Sequence, residues 1–191
     1  MDIDDGALKK VGGWLSPRDV QAGMLSLLAE PDARAARLAL LVARSYTPEV
    51  SAVLLVRDSD DDPRRRDGLR QARDATKWPF AVVLGVAHTK RECWLLAAFQ
   101  PRDDEEKRSH DDVRKELGFD PCLQSHELDA QLEHAKRSAK RVARILCPDG
   151  GERGLSETTL DVLKERGREN GLADYLGELE TRYVPLFRRA K

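Results

Sequence analysis

A chain of 191 residues, 40% hydrophobic and 35% charged, has room for one domain with a real core, or one domain plus a helical extension, and has no apolar stretch long enough to span a bilayer. Lys and Arg total 33 against 34 Asp and Glu, so no global field draws the protein to nucleic acid and any such attraction must come from local patches. Cys93, Cys122 and Cys147 are scattered without CxxC spacing, which argues against a disulfide framework or a zinc site, and the four histidines form no metal-ligand pair at helical spacing.

The opening "MDIDDGALKK" is acidic and lacks the apolar core of a signal peptide, so the expected compartment is the cytoplasm. The first predicted helix starts at "SPRD", with Ser16 as N-cap, Pro17 at the first helical position and Asp19 completing a capping box. It carries Val20, Met24, Leu27 and Leu28 on one face. A second helix begins near Pro31, with Ala35, Leu38, Leu41 and Val42 as its packing stripe, and "SYTPE" breaks it.

The pattern then changes. "SAVLLVRD" (residues 51–58) and "FAVVLGVA" (residues 80–87) are continuous valine-rich runs, as expected of parallel strands buried on both faces. The polar segment between them has Leu69, Ala72 and Arg73 at helical spacing, so the three together predict a βαβ unit. "TKRECWLLAAF" predicts a helix with Trp94, Leu95 and Phe99 packed inward.

The remainder reads as helical. "SHDDVRKELGF" has Ser109 as cap and Gly118 as stop. "AKRSAKRVARIL" places Ala139, Val142, Ala143 and Leu146 on one face, with Lys136, Arg137, Lys140, Arg141 and Arg144 on the other. A further helix starts at Ser156, and Gly171 separates it from "LADYLGELETRYVPLF". "CPDGGERG" (residues 147–154) reads as the loop between an α/β core with N-terminal helices (1–147) and a helical C-terminal extension (148–191).

Four carboxylates crowd residues 58–62. Asp62 before Pro63 reads as an ordinary N-cap and Asp61 as a solvated loop residue, which leaves Asp58 and Asp60 directly after a strand. In a parallel α/β sheet, ligands gather beyond the carboxyl ends of the strands. Glu92 falls in the first turn of the helix leaving that end of the second strand, where helix termini also favour Glu in its own right. Three converging oxygen ligands suit Mg²⁺ or Mn²⁺, which bind few carboxylates and keep waters or phosphate oxygens. An EF-hand loop from Asp58 would need Gly at Pro63 and Glu at Leu69, and "DGGERG" lacks the GKS/T of a phosphate loop.

The order of apolar strand, "RDSDDD", helix, apolar strand, then "KRECWLLAAF" resembles the topoisomerase–primase (TOPRIM) domain over roughly residues 50–144. It is similar to small bacterial TOPRIM-like proteins of unknown function and, more distantly, to overcoming-lysogenisation-defect nucleases. The resemblance implies a TOPRIM-like Rossmannoid α/β core with a mostly parallel sheet flanked by helices. It implies that Asp58 and Asp60 match the metal-binding Asp-x-Asp pair and that Glu92 matches the acidic residue ahead of the apolar helix. It also implies a later catalytic lysine near the scissile phosphate, for which Lys136 or Lys140 is available. One departure stands out: TOPRIM domains open with a strand ending in a glutamate, and residues 1–15 offer Asp2, Asp4 and Asp5 but no such Glu.

The basic helix, with Lys136, Lys140 and Arg141, suits a phosphate backbone, and Arg64 and Arg65 could extend the patch; its bland reading is a solvated face paired with nearby Glu residues. The expectation is Mg²⁺-dependent phosphodiester chemistry on nucleic acid, DNA favoured over RNA, as a TOPRIM-type nuclease in bacterial (phage) defence or genome maintenance. The alternative is a non-catalytic partner subunit of a multi-protein complex. A protein partner such as an ATPase is compatible with either, and no membrane is expected.

Overall fold

The computed structural model describes residues 30–46 and 50–188, so the helix expected from Ser16 lies outside the described residues. Two parallel strands, β1 (Ala52–Asp58) and β2 (Ala81–Ala87), form the sheet, with helices making up most of the rest. The chain divides into two compact units, one of residues 1–56, 62–84 and 178–191, the other of residues 57–61 and 85–177. The expected boundary at residues 147–154 falls inside the second unit. Among the described residues no helix is long and apolar enough to cross a membrane.

In the first unit, α1 (Ala33–Ser45) packs on α2 (Arg64–Asp74). The approach is close at Gly68, where an added Cβ would lie 1.8 Å from the Pro31 carbonyl oxygen. The buried face of α1 is Ala33, Ala36, Arg37, Leu40 and Leu41, so the expected stripe through Ala35, Leu38 and Val42 is rotated by about one position. The cause is Arg37, which is buried because its guanidinium lies 4.7 Å over the ring of Trp78. Trp78 in turn stacks on Phe80 and donates its indole N–H to the Arg73 carbonyl. Arg73 spans to Glu178 with bonds of 2.9 and 3.0 Å.

The strands differ from each other. Every residue of β2 from Val82 to Ala87 is buried, as two-sided burial requires, but β1 alternates and leaves Leu54 and Val56 about two-fifths exposed. The expectation of two-sided burial therefore fails for β1, whose apolar run hides a period of two because both faces carry aliphatic residues.

The second unit has its own core. α3 (Glu92–Ala98) lies against α5 (Ala139–Leu146), and α4 (Asp104–Leu117) closes over α5. Cys93, Leu96, Phe99, Val113, Cys122, Leu128, Val142 and Leu146 fill the space between them. A second cluster joins Ala87, Trp94 and Ala98 to Leu163 of α7 (Leu160–Arg166) and Leu172 of α8 (Leu172–Glu178). Trp94 and Tyr175 stack with centroids 5.0 Å apart.

Several helix boundaries differ from expectation. α4 begins ahead of Ser109, because the Asp103 carboxylate accepts the Glu105 and Glu106 N–H groups; Gly118, at φ 84, ends it as expected. α5 starts only at Ala139, where Ser138 caps it, so Lys136 and Arg137 precede the helix and do not lie on it. The Asp129–Ser138 bridge and the Arg137–Glu127 ion pair hold that stretch in a turn. Within the expected loop at 147–154, α6 (Glu152–Glu157) already begins, and Thr158 separates it from α7 by donating its hydroxyl to the Ala98 carbonyl at 2.7 Å. The last helix continues through a π-helical segment (Leu179–Tyr183) into α9 (Val184–Arg188); Pro185, which lacks an N–H, accounts for the widened turn before it.

Candidate metal centre at the end of the sheet

The chain keeps pairing beyond both strands. Ser59 donates its N–H to the Ala87 carbonyl at 2.8 Å and Asp60 to the Thr89 carbonyl at 3.1 Å. Ser59 is buried and shares a 3.0 Å hydrogen bond with His88 Nδ1. Asp60 and Asp61 then take left-handed backbone conformations, φ 45 and φ 63, and this tight reversal keeps the acidic run at the sheet's end. Asp61 accepts the Gln131 side-chain amide at 3.2 Å.

The segment after β2 is fixed from several sides. His88 donates its N–H to the Asn170 carbonyl at 2.9 Å, and Thr89 donates its hydroxyl to the Leu128 carbonyl at 3.0 Å. Asn170, fully buried, donates to the Cys93 carbonyl and to Ser125 Oγ, accepts the Leu172 N–H, and takes the Trp94 indole N–H on its carbonyl. Lys90, Arg91 and Glu92 are thereby presented at the carboxyl end of the sheet.

There Asp58 meets its neighbours. Its Oδ1 accepts the Arg91 backbone N–H at 2.9 Å. Burial pushes the Asp58 carboxyl above the usual carboxylate range; the Arg91 N–H opposes this, and the charges of Glu92 and Asp60 add to it. Asp58 therefore feels both Glu92 and Asp60, and among the described residues no hydrogen-bond donor reaches the Glu92 carboxylate. Lys140 faces the same group: its hydrogen bond to Glu133 (2.9 Å) raises its ammonium above the ordinary range, with Glu92 and Asp58 contributing. The same bond holds Glu133 below the usual carboxylate range, helped by Arg144 and Lys90.

Of the residues expected at a site, Glu92 and Asp60 act on Asp58 through their charges, and Glu92 and Asp58 act on Lys140, but among the described residues Asp58, Asp60 and Glu92 do not bring one ligand atom each within 4.8 Å of the others. Lys136 is exposed in the turn before α5, and Arg141 is drawn to Glu116 of α4 at 2.8 Å. Arg64 and Arg65 belong to the first unit, where Asp62 takes the Arg64 backbone N–H at 3.1 Å and its guanidinium at 2.9 Å, and Asp32 pairs with Arg65 at 3.4 Å.

Sequence reasoning missed Lys90. It is nine-tenths buried, and among the described residues no carboxylate pairs with it at ion-pair distance. The signal was available: Lys90 stands two residues before Glu92, at the same strand end that drew attention to the acids.

The charges of two carboxylates, Glu92 and Asp60, add to the cost of ionising Asp58, a cost that a bound cation would relieve. Comparison of the chain with family models, with curated proteins and with solved structures finds no match in any of the three.

Proposed function

We propose that the sheet-end cluster is a Mg²⁺ or Mn²⁺ site for phosphodiester chemistry on nucleic acid, DNA favoured over RNA, in a TOPRIM-type nuclease of bacterial defence or genome maintenance. The observation that carries the reading is the electrostatic meeting of Asp58 with Glu92 and Asp60, carboxylates from two separate strand ends. Asp58, Asp60 and Glu92 would hold the metal. Once bound, it supplies Lewis-acid neutralisation of phosphate charge and a water acidic enough to attack at neutral pH.

The chain's own residues do the rest. The Arg91 N–H fixes one Asp58 oxygen and leaves the other for ligation. Lys90, buried and, among the described residues, without a carboxylate at ion-pair distance, offers its ammonium to a phosphate oxygen, and Lys140 stands ready to exchange Glu133 for a second one. Glu133 holds Lys140 near the carboxylates until an anion arrives.

The rival reading is a non-catalytic partner subunit of a multi-protein complex. Nicking of plasmid or single strands with Mg²⁺ or Mn²⁺, alone and with the products of neighbouring genes, separates the two. Metal-dependent cleavage lost in Asp58→Asn supports the nuclease; metal binding without cleavage under any condition supports the subunit.

A further inference from the structure

A second group of metal-ligating side chains lies at the C-terminal end of α4, apart from the sheet-end carboxylates. Gly118 reverses the chain there, so the following residues fold back along the helix toward His110, about two turns from its end. His110 Nε2 comes to 3.3 Å from Asp120 Oδ1, and the same oxygen accepts the Cys122 N–H at 2.8 Å. Pro121, fully buried, stands between Asp120 and Cys122 and fixes their spacing. One ligand atom from each of His110, Asp120 and Cys122 falls within 4.8 Å of the others. Cys122 is buried, while His110 and Asp120 are 15% and 20% exposed, so the group opens to solvent on one side.

We propose that His110, Asp120 and Cys122 form a binding site for a borderline divalent cation of the Zn²⁺ class. The donors are an imidazole nitrogen, a carboxylate oxygen and a sulfur, a set that Zn²⁺ accepts and that hard Mg²⁺ does not. Bonds of about 2.0–2.3 Å to a tetrahedral ion place donors roughly 3.3–3.8 Å apart, so the observed spread closes with movements of about 1 Å or less. The ion displaces little, because the His110–Asp120 hydrogen bond is already long. One Asp120 oxygen is oriented by a backbone N–H independently of any metal, which is how carboxylate ligands are commonly held.

The charges also balance. On binding, the Cys122 S–H bond breaks, its proton leaves to solvent, and the sulfur pair forms the bond to the metal. A thiolate, a carboxylate and a neutral imidazole then bring two negative charges to a dication at the edge of a core. Three protein ligands leave a fourth position for water on the exposed side. The ion would tie α4 to the turn that carries Cys122 into the main core, so binding should stabilise the fold.

The test uses the full chain, stripped with a chelator, with Co²⁺ as a spectroscopic probe for Zn²⁺. One equivalent of Co²⁺ should give a thiolate-to-metal charge-transfer band with tetrahedral d–d bands, one equivalent of Zn²⁺ should bleach them, and Zn²⁺ should raise Tm. Cys122→Ser should abolish the charge-transfer band, while Cys147→Ser and Asp58→Asn retain it. His110→Gln and Asp120→Asn, both at partly exposed positions, should each weaken binding about tenfold or more, and they decide the matter if Cys122→Ser does not fold. Absence of the band overturns the proposal. So does a band that survives Cys122→Ser or disappears in Asp58→Asn, since the metal would then be elsewhere.

Discussion

Asp58→Asn separates a ligand from a structural cap by the sign of its effect. The amide keeps an oxygen that can accept the Arg91 N–H at 2.9 Å, but removes a charge faced by Glu92 and Asp60. Because burial and those charges raise the Asp58 carboxyl in the fold, its ionised form is disfavoured there relative to the unfolded chain. The contribution of Asp58 is therefore fully present below its unfolded value, near pH 4, and is lost as pH rises through the raised folded value. In EDTA at neutral pH, Asp58→Asn should match or exceed the wild type by up to about 1 kcal/mol, the scale of half-exposed charge pairs. Asp58→Ala, which also loses the acceptor, should fall about 1 kcal/mol below Asp58→Asn. At roughly 2–4 °C per kcal/mol, melting curves resolve both, and the advantage of Asp58→Asn should vanish near pH 4. Adding Mg²⁺ or Mn²⁺ should reverse the order, because only the wild type gains; the gain is about 2.7 kcal/mol at a hundredfold excess over Kd. An Asp58→Asn variant that melts far below the wild type in EDTA would refute the reasoning and return Asp58 to a structural role.

Lys140→Gln should leave Tm close to that of the wild type, since the position is exposed. It should also lower the log–log salt slope of nucleic-acid binding by about one, and an unchanged slope would remove Lys140 from phosphate contact. Asn170→Ala strands the Ser125 hydroxyl and the Leu172 N–H in a buried setting and should cost about 3 kcal/mol, read by denaturant melts. Gly68→Ala drives a methyl into the Pro31 carbonyl and should cost about 3 kcal/mol or more, with hydrogen exchange rising first in α1 and α2. Glu178→Ala leaves Arg73 with Asp74 as its remaining carboxylate among the described residues and should cost about 1–2 kcal/mol by thermal melts.

The parts of the fold legible in the sequence were those set by local chemistry. The βαβ order followed from two valine-rich runs around a polar segment, Gly118 stopped α4, and Ala139, Val142, Ala143 and Leu146 are buried as spaced. What local chemistry could not supply came from distant partners. Arg37 is inside because Trp78, far along the chain, offers its ring. "AKRSAKRV" consists largely of good helix formers, and the helix starts late because Asp129 and Glu127 hold the preceding turn. Which face of β1 is open could not be read where Val53, Leu54, Leu55 and Val56 are all aliphatic. The acids of the site were found from strand ends, and Lys90 was missed although the same rule covered it. His110, Asp120 and Cys122 were passed over because their spacing matches neither a helix face nor a CxxC pair.

The position of Asn170 has a kinetic consequence. The segment carrying Lys90 and Glu92 is anchored to a residue that emerges from the ribosome some eighty positions later. Both strands can be synthesised long before the carboxylates acquire their final spacing. Chain closure over such a separation is slow compared with forming a helix, so the nascent protein passes through an interval with its strands made and its acidic end unset. Any metal-dependent activity the cluster supports is thereby withheld until residue 170 has been made, and a product truncated before it would carry the acidic motif without its anchor.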